Sequence, residues 1–451
     1  MHGASISRWT MAYFASALAF LVLGLAAWGC GYGLPTKAID APSTLAVVHL
    51  LTVGWLGLLF CGALLQFVPV LAATHLRMSW LAAPALVFLL SGLGLLTAGF
   101  LALGGHVDIE VSILSMAAIP LAAGFGCLAV SLAATIVSQK AFDVPGILVM
   151  AGLAAMLVTL GMGASFTGVL SGIVDLPKLA SVLPALVPYH AASGLLGWMT
   201  LTAIGVSYRL FAMFMLAPEN GHSDRAVTAF AVSALAALYL SFGLKLLDLP
   251  FASVMLALAL ALALMLIVAY GRDIWRMFRA RRRKMLELNS LAGLAALAFL
   301  GAGATMLAIA VWFDAEAELA PTAFYLLGLG WLTGLGLAQL YKIVPFLTWL
   351  ETYGPVMGKS QVPRVQDLVD ERSARSWFGL FYLSVCAGAT AIVTDTDLLF
   401  RAASFCQSAA VLALALEYMR ARRLSYAPFQ LRLPPGAVRP HLIYANTTPK
   451  E

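Results

Sequence analysis

The feature that most constrains this chain is the recurrence of apolar runs about twenty residues long, separated by short polar breaks. Crossing a hydrocarbon layer about 30 Å thick takes about 20 residues at 1.5 Å each, and only helices and closed barrels satisfy every backbone amide inside it. Runs of this length read as helices. Twelve fall at residues 10–34, 43–72, 78–104, 111–138, 144–172, 179–216, 226–247, 251–270, 291–313, 322–350, 376–394 and 398–418. Apolar residues make up 62% of the chain and charged residues 11%, against about a quarter charged in soluble domains, so lipid solvates most of it. The expected architecture is all-α: one polytopic membrane domain over residues 1–423 and a tail over 424–451. Pro428, Pro434, Pro435 and Pro440 favour extended backbone in that tail.

A net charge of +6 raises the question of nucleic acid, and placement answers it. Of 27 Lys and Arg, 21 fall in the terminal segments and the even-numbered loops, the pattern of the positive-inside rule. Arg279, Arg281, Arg282, Arg283 and Lys284 follow the eighth run; Arg364, Arg372 and Arg375 follow the tenth; Arg420, Arg422 and Arg423 follow the twelfth. Both termini are therefore expected in the cytoplasm, while Asp314, Glu316 and Glu318 mark an outer loop. The basic residues read as topology and contact with anionic membrane lipids, not as a nucleic-acid surface. Residues 272–284 are expected to prolong the eighth helix, with Ile274, Trp275 and Phe278 against the interface and the Arg side chains reaching headgroups. The first run is too long for a signal-peptide core and lacks a small-residue cleavage site, so it reads as retained. Cys30, Cys61, Cys127, Cys386 and Cys406 show no CxxC spacing and read as packing residues.

An internal repeat links the second, sixth and tenth runs. They read GWLGLLFCGALLQFVP from Gly54, GWMTLTAIGVSYRLFA from Gly197 and GWLTGLGLAQLYKIVP from Gly330. Counted from the first Gly, each has a small residue at offset eight (Gly62, Gly205, Ala338) and a polar one at offset twelve (Gln66, Arg209, Lys342). The unit is four helices, repeated three times. The polar position lies about 18 Å beyond the Gly-Trp, at the inner interface. Two readings stand there: snorkelling or capping at a helix end, or three groups around a pseudo-threefold axis that bind an anionic headgroup, a quinone or a solute.

Ionisable groups inside a span are costly, so each is a functional candidate. His49 lies five residues before the Gly-Trp of the second run, and His190 seven before that of the sixth, after Pro184, Pro188 and Tyr189. Neutral imidazole ligates haem iron and copper, so both are candidate haem or metal ligands, with a hydrogen-bonded structural histidine as the alternative. The two-residue difference in offset turns one ring about 200° from the other on its helix, so the repeat alone does not aim them at equivalent places. His75, His106 and His222 fall in loops, and His2 and His441 in the terminal segments. No Asp or Glu sits near the middle of a run, and Walker, zincin, nucleophile-elbow and dinucleotide motifs are missing.

Twelve helices, cytoplasmic termini, three arcs of four, and special residues on helices 2, 6 and 10 together resemble subunit I of the haem-copper oxidases and nitric oxide reductases. The resemblance covers Thr10 to Tyr418 as architecture. Its most specific piece is His49 followed by GxxxQxxP ending at Pro69, which looks like the family's low-spin haem helix; His190 sits where the family places its first copper ligand. Helix 7 of the family carries a His pair and helix 10 two His, and neither the seventh nor the tenth run here has any. The resemblance thus implies a noncatalytic relative, similar also to NnrS-type and orphan oxidase-like membrane proteins, in which oxidase activity is not expected. It implies haem b or copper as cofactor, a bacterial inner-membrane location, a respiratory complex or electron carrier as partner, and a role in respiratory electron transfer, complex assembly, or nitric-oxide or metal handling. The competing expectation is a cofactor-free transporter or lipid-binding or quinone-binding scaffold that uses Arg209 and Lys342.

Overall fold

The computed structural model describes residues 7–38, 40–139, 143–218 and 225–445. His2 and His222 lie outside them. Twelve helices in the described residues are long and apolar enough to cross a membrane, consistent with a multi-pass membrane protein. They are α1 (Thr10–Gly29), α2 (Pro42–Leu71), α3 (Ser79–Leu103), α4 (Ile113–Val137), α5 (Val144–Leu170), α6 (Pro177–Met215), α7 (Arg225–Leu246), α8 (Ala252–Arg279), α9 (Leu288–Trp312), α10 (Glu316–Val356), α11 (Glu371–Val393) and α12 (Asp397–Arg422). Each overlaps the run expected from sequence; the prolongation of the eighth helix expected over 272–284 ends at Arg279, and Ile274, expected against the interface, is buried instead.

Local chemistry sets several starts. Asp143 caps α5 by accepting from the Gly146 amide at 2.9 Å, with Pro145 in the first turn, where a missing N–H costs nothing. Asp370 caps α11 by accepting from the Arg372 and Ser373 amides. Sequential helices pair as antiparallel neighbours, α7 with α8 and α11 with α12 most extensively, and α1 packs on α12, so the chain closes on itself. Helix α10 is the innermost: 89% of its apolar window is buried, against 67% for α2 and 22% for α8. At 1.5 Å per residue, the 39 residues of α6 and 41 of α10 exceed the roughly 45 Å of a whole bilayer, so both project beyond it.

The structure departs from a plain helix at the repeat. Leu50–Gly57, Ser193–Thr200 and Leu326–Thr333 are each a π-helical segment, and each begins four residues before the Gly of its Gly-Trp. A π turn closes its hydrogen bond over one more residue than an α turn and is frequent at functional sites.

Residues 424–445 fold back on the bundle. The buried Arg422 side chain donates to the carbonyl of His441 and pairs with Glu351 at 2.7 Å, while Tyr353 donates to the Arg432 carbonyl at 2.9 Å. The Ala445 amide reaches the Arg8 carbonyl at 2.9 Å, and the Arg8 guanidinium lies 5.4 Å from the Tyr444 ring centre.

Candidate functional site

His49 and His190 meet. Their ring centres are 6.4 Å apart, with the planes inclined at 32°. His49 is the last α-helical residue before the π segment of α2, and His190 precedes that of α6 by three residues. The 200° difference in helical direction, which separates the rings on equivalent helices, is what brings them together. A pocket between two arcs is flanked by α2 on one side and α6 on the other, so equal offsets would aim at successive pockets. Opposed offsets aim at one. The resemblance had implied separate sites for these residues, and here they share a single space.

The pair has aromatic neighbours. Phe100 of α3 lies 5.1 Å from the His49 ring centre and Phe166 of α5 lies 5.8 Å from that of His190. A methyl group on Gly163 of α5 would stand 3.2 Å from the His190 ring, so glycine there makes room for the imidazole. His49 Nδ1 is 2.7 Å from the Leu45 carbonyl oxygen. A carbonyl only accepts, so Nδ1 carries the proton and Nε2 holds an available lone pair. Such a second-sphere bond orients a ligating imidazole. His190 Nδ1 is buried with no hydrogen-bond partner. No cluster of three or more His, Cys, Asp or Glu occurs among the described residues, so this donor set supplies two nitrogens. Two imidazoles suit a metal that brings its own equatorial ligands, as haem iron does, or one content with two, as Cu(I) is.

Tyr325 takes the corresponding place on α10, directly before its π segment. Its hydroxyl is 2.5 Å from the Gln407 side chain of α12, and its ring packs beside Trp28 and Phe400. The third such position, on α6, is Ala192. Only one of the three equivalent places therefore holds a histidine.

Below the histidines the Gly-Trp residues form a seam between α2, α6 and α10. Trp55 Nε1 donates to Thr333 Oγ1 at 2.8 Å, and Trp331 Nε1 donates to Thr200 Oγ1 at 3.1 Å. Each Thr donates in turn to the carbonyl five residues back, Leu195 or Gly328, closing a bond natural to a π turn and leaving lone pairs for the indole. The third link is missing. Helix α2 has Gly57 where the others have Thr, and Trp198 Nε1 is buried without a partner. Past the seam, α2, α6 and α10 line one cavity of about 70 Å³ from the same five register positions, at offsets 5, 6, 9, 10 and 13 from the Gly. At offset 9 Ala63 and Val206 are apolar, while Gln339 keeps both amide atoms buried and unpaired.

Gln66, Arg209 and Lys342 at offset 12 lie off that cavity and engage partners of their own. Gln66 Oε1 accepts from the Ser7 amide at 3.1 Å, Arg209 lies 3.6 Å from Asp143, and Lys342 pairs with Glu287 at 2.6 Å. Each partner sits just before the first helix of its own arc, α1, α5 or α9. Offsets 8 and 12 share a helix face. A methyl group on Gly62 would meet Tyr13 of α1 at 2.7 Å, and one on Gly205 the Pro145 carbonyl of α5 at 2.9 Å. The shared face is thus the docking register of α2, α6 and α10 on the helix that opens each arc. Sequence reading found the offsets and missed the partners, since Asp143 and Glu287 fall in loops with no visible link to the repeat. Desolvation of the Glu287 carboxyl opposes ionisation, and hydrogen bonds from Lys342 and Gln366 with the charges of Lys342 and Arg283 outweigh it, holding the group below its ordinary value.

No protein-family model matches the chain, and no curated protein matches it significantly in sequence.

Proposed function

We propose that the protein is a multi-pass membrane haem protein of the oxidase subunit I-like kind, without a dioxygen-reducing centre, in which His49 and His190 hold a b-type haem and the protein serves respiratory electron transfer. The observation that carries this reading is the 6.4 Å between the imidazole centres. Imidazoles sharing one metal between their nitrogens would stand up to about 6.3 Å apart, from a metal–nitrogen bond of about 2.0 Å and about 1.1 Å from nitrogen to ring centre, so this separation would admit such a bridge. Haem iron supplies one-electron chemistry when bound. The chain's own part is to fix the His49 ring through Leu45 and to flank the two imidazoles with Phe100 and Phe166. By the distribution of Lys and Arg the pair lies toward the outer side, within reach of a soluble electron carrier.

Copper between the same two nitrogens is the second reading, favoured by the absence of a third ligand among the described residues. Transport through Arg209 and Lys342 draws less support, because both cations already face carboxylates. The test is the absorbance spectrum and metal content of the purified protein. A Soret band is expected, lost in both His49→Ala and His190→Ala. Copper without a Soret band selects the second reading, and a colourless, metal-free preparation overturns both.

A further inference from the structure

Away from the histidines, a groove of about 320 Å³ runs between α8 and α9. On α8 it is lined from Ile267 to Phe278, and on α9 from Leu294 to Leu300. Its length along α8, eleven steps of 1.5 Å, is about 16 Å. By the run boundaries Ile267 and Tyr270 lie in the hydrocarbon layer and Gly271 to Phe278 at the interface, so the groove crosses from acyl-chain depth to headgroup depth. The lining is aromatic and aliphatic, with Trp275 59% exposed and stacked on Phe278 at 5.5 Å.

The groove ends in positive charge. The Arg281 guanidinium lies 4.0 Å from the Phe278 ring centre and donates to the Phe278 carbonyl at 2.7 Å, which places it at the groove's mouth. Arg279 follows Trp275 by one helical turn and is exposed, as is Arg282. An apolar trough that crosses the interface with guanidinium groups at its polar end matches the upper part of an acyl chain joined to a phosphate. Diffuse attraction to a charged surface needs no trough.

We propose that this groove is a binding site for one anionic phospholipid of the leaflet on the basic face, its acyl chain along α8 and α9 and its phosphate on Arg279 and Arg281. The site is independent of the histidine pocket, so its test does not depend on any cofactor. Full-length protein is reconstituted in phosphatidylcholine vesicles containing a minor fraction of chain-brominated phosphatidylglycerol or, separately, chain-brominated phosphatidylcholine. Bromine quenches nearby indoles, and the Trp275 component is the difference between wild type and Trp275→Phe.

The brominated anionic lipid is expected to quench Trp275 in excess over the zwitterionic one. Each basic residue near an anionic headgroup contributes about fivefold, so Arg279→Gln with Arg281→Gln should weaken the excess by about 25-fold. Ala298→Trp, which fills the exposed wall of the groove and leaves the charges in place, should abolish it as well. Equal quenching by the two lipids overturns the proposal. So does an excess that survives Ala298→Trp, or one that inorganic phosphate alone removes, since the cluster would then be a soluble-anion site.

Discussion

The missing link of the tryptophan seam can be restored by one substitution, Gly57→Thr. The position is helical, and a methyl group there would stand 3.4 Å from the Thr52 carbonyl oxygen, 3.5 Å from Phe125 Cζ and 3.6 Å from the Trp198 ring carbon Cη2, all ordinary contact distances. Thr52 is five residues back, the place that Leu195 and Gly328 hold for Thr200 and Thr333. A threonine hydroxyl at 57 is therefore expected to donate to the Thr52 carbonyl and accept from Trp198 Nε1. Hydrogen bonds between membrane helices are worth about 0.6 kcal/mol on average and about 1.7 at most. Relief of a buried, unpaired N–H adds to this, with a penalty of about 1–3 kcal/mol when left unmade. Gly57→Val has the same shape without the hydroxyl and similar helix propensity, so the comparison of Thr with Val isolates the polar contribution. Unfolding of the purified protein by denaturing detergent in mixed micelles should show Gly57→Thr more stable than Gly57→Val by about 1–2 kcal/mol. In a Trp198→Phe background the advantage should fall to a few tenths. Equal stability of Thr and Val, or an advantage indifferent to Trp198, would refute the seam as a chain of indole–hydroxyl bonds.

Two further outcomes follow from the ties at the helix ends. Glu287→Gln strands Lys342 and should cost about 3 kcal/mol, whereas Asp143→Asn, in a pair 38% exposed on each side, should cost under about 1. Because the folded carboxyl of Glu287 is depressed from 4.5, its contribution is complete above about pH 4.5 and fades as pH falls through the lower folded value; wild-type stability should drop more steeply there than that of Glu287→Gln. Arg422→Met removes the donor that holds the His441 carbonyl and the 2.7 Å ion pair to Glu351, so residues 424–445 should become sensitive to limited proteolysis where wild type resists. Equal cleavage rates would refute the docked tail.

The twelve helices were legible because lipid imposes a length and an apolarity that no packing detail can override. The repeat was legible because its Gly, Trp and polar positions recur at fixed offsets. What it meant was not. Eight mostly apolar residues carry no periodicity able to separate a π turn from an α turn, so the segments at Leu50, Ser193 and Leu326 stayed hidden. Thr200 and Thr333 drew no attention because their indole partners lie on other helices, at sequence separations of 131 and 278. His49 and His190 were singled out by chemistry. Their convergence depends on which side of each helix faces the shared pocket, a fact of handed arrangement that no single helix records.

The contact of Ala445 with Arg8 has a consequence for how the molecule is made. Helices α1 and α12 are neighbours, and the strap that spans their basic ends comes from residues translated after every span. The contact between the first and last of the twelve spans can therefore form only after all of them have been made. Once His441 and Tyr444 reach Arg422, the clasp shuts.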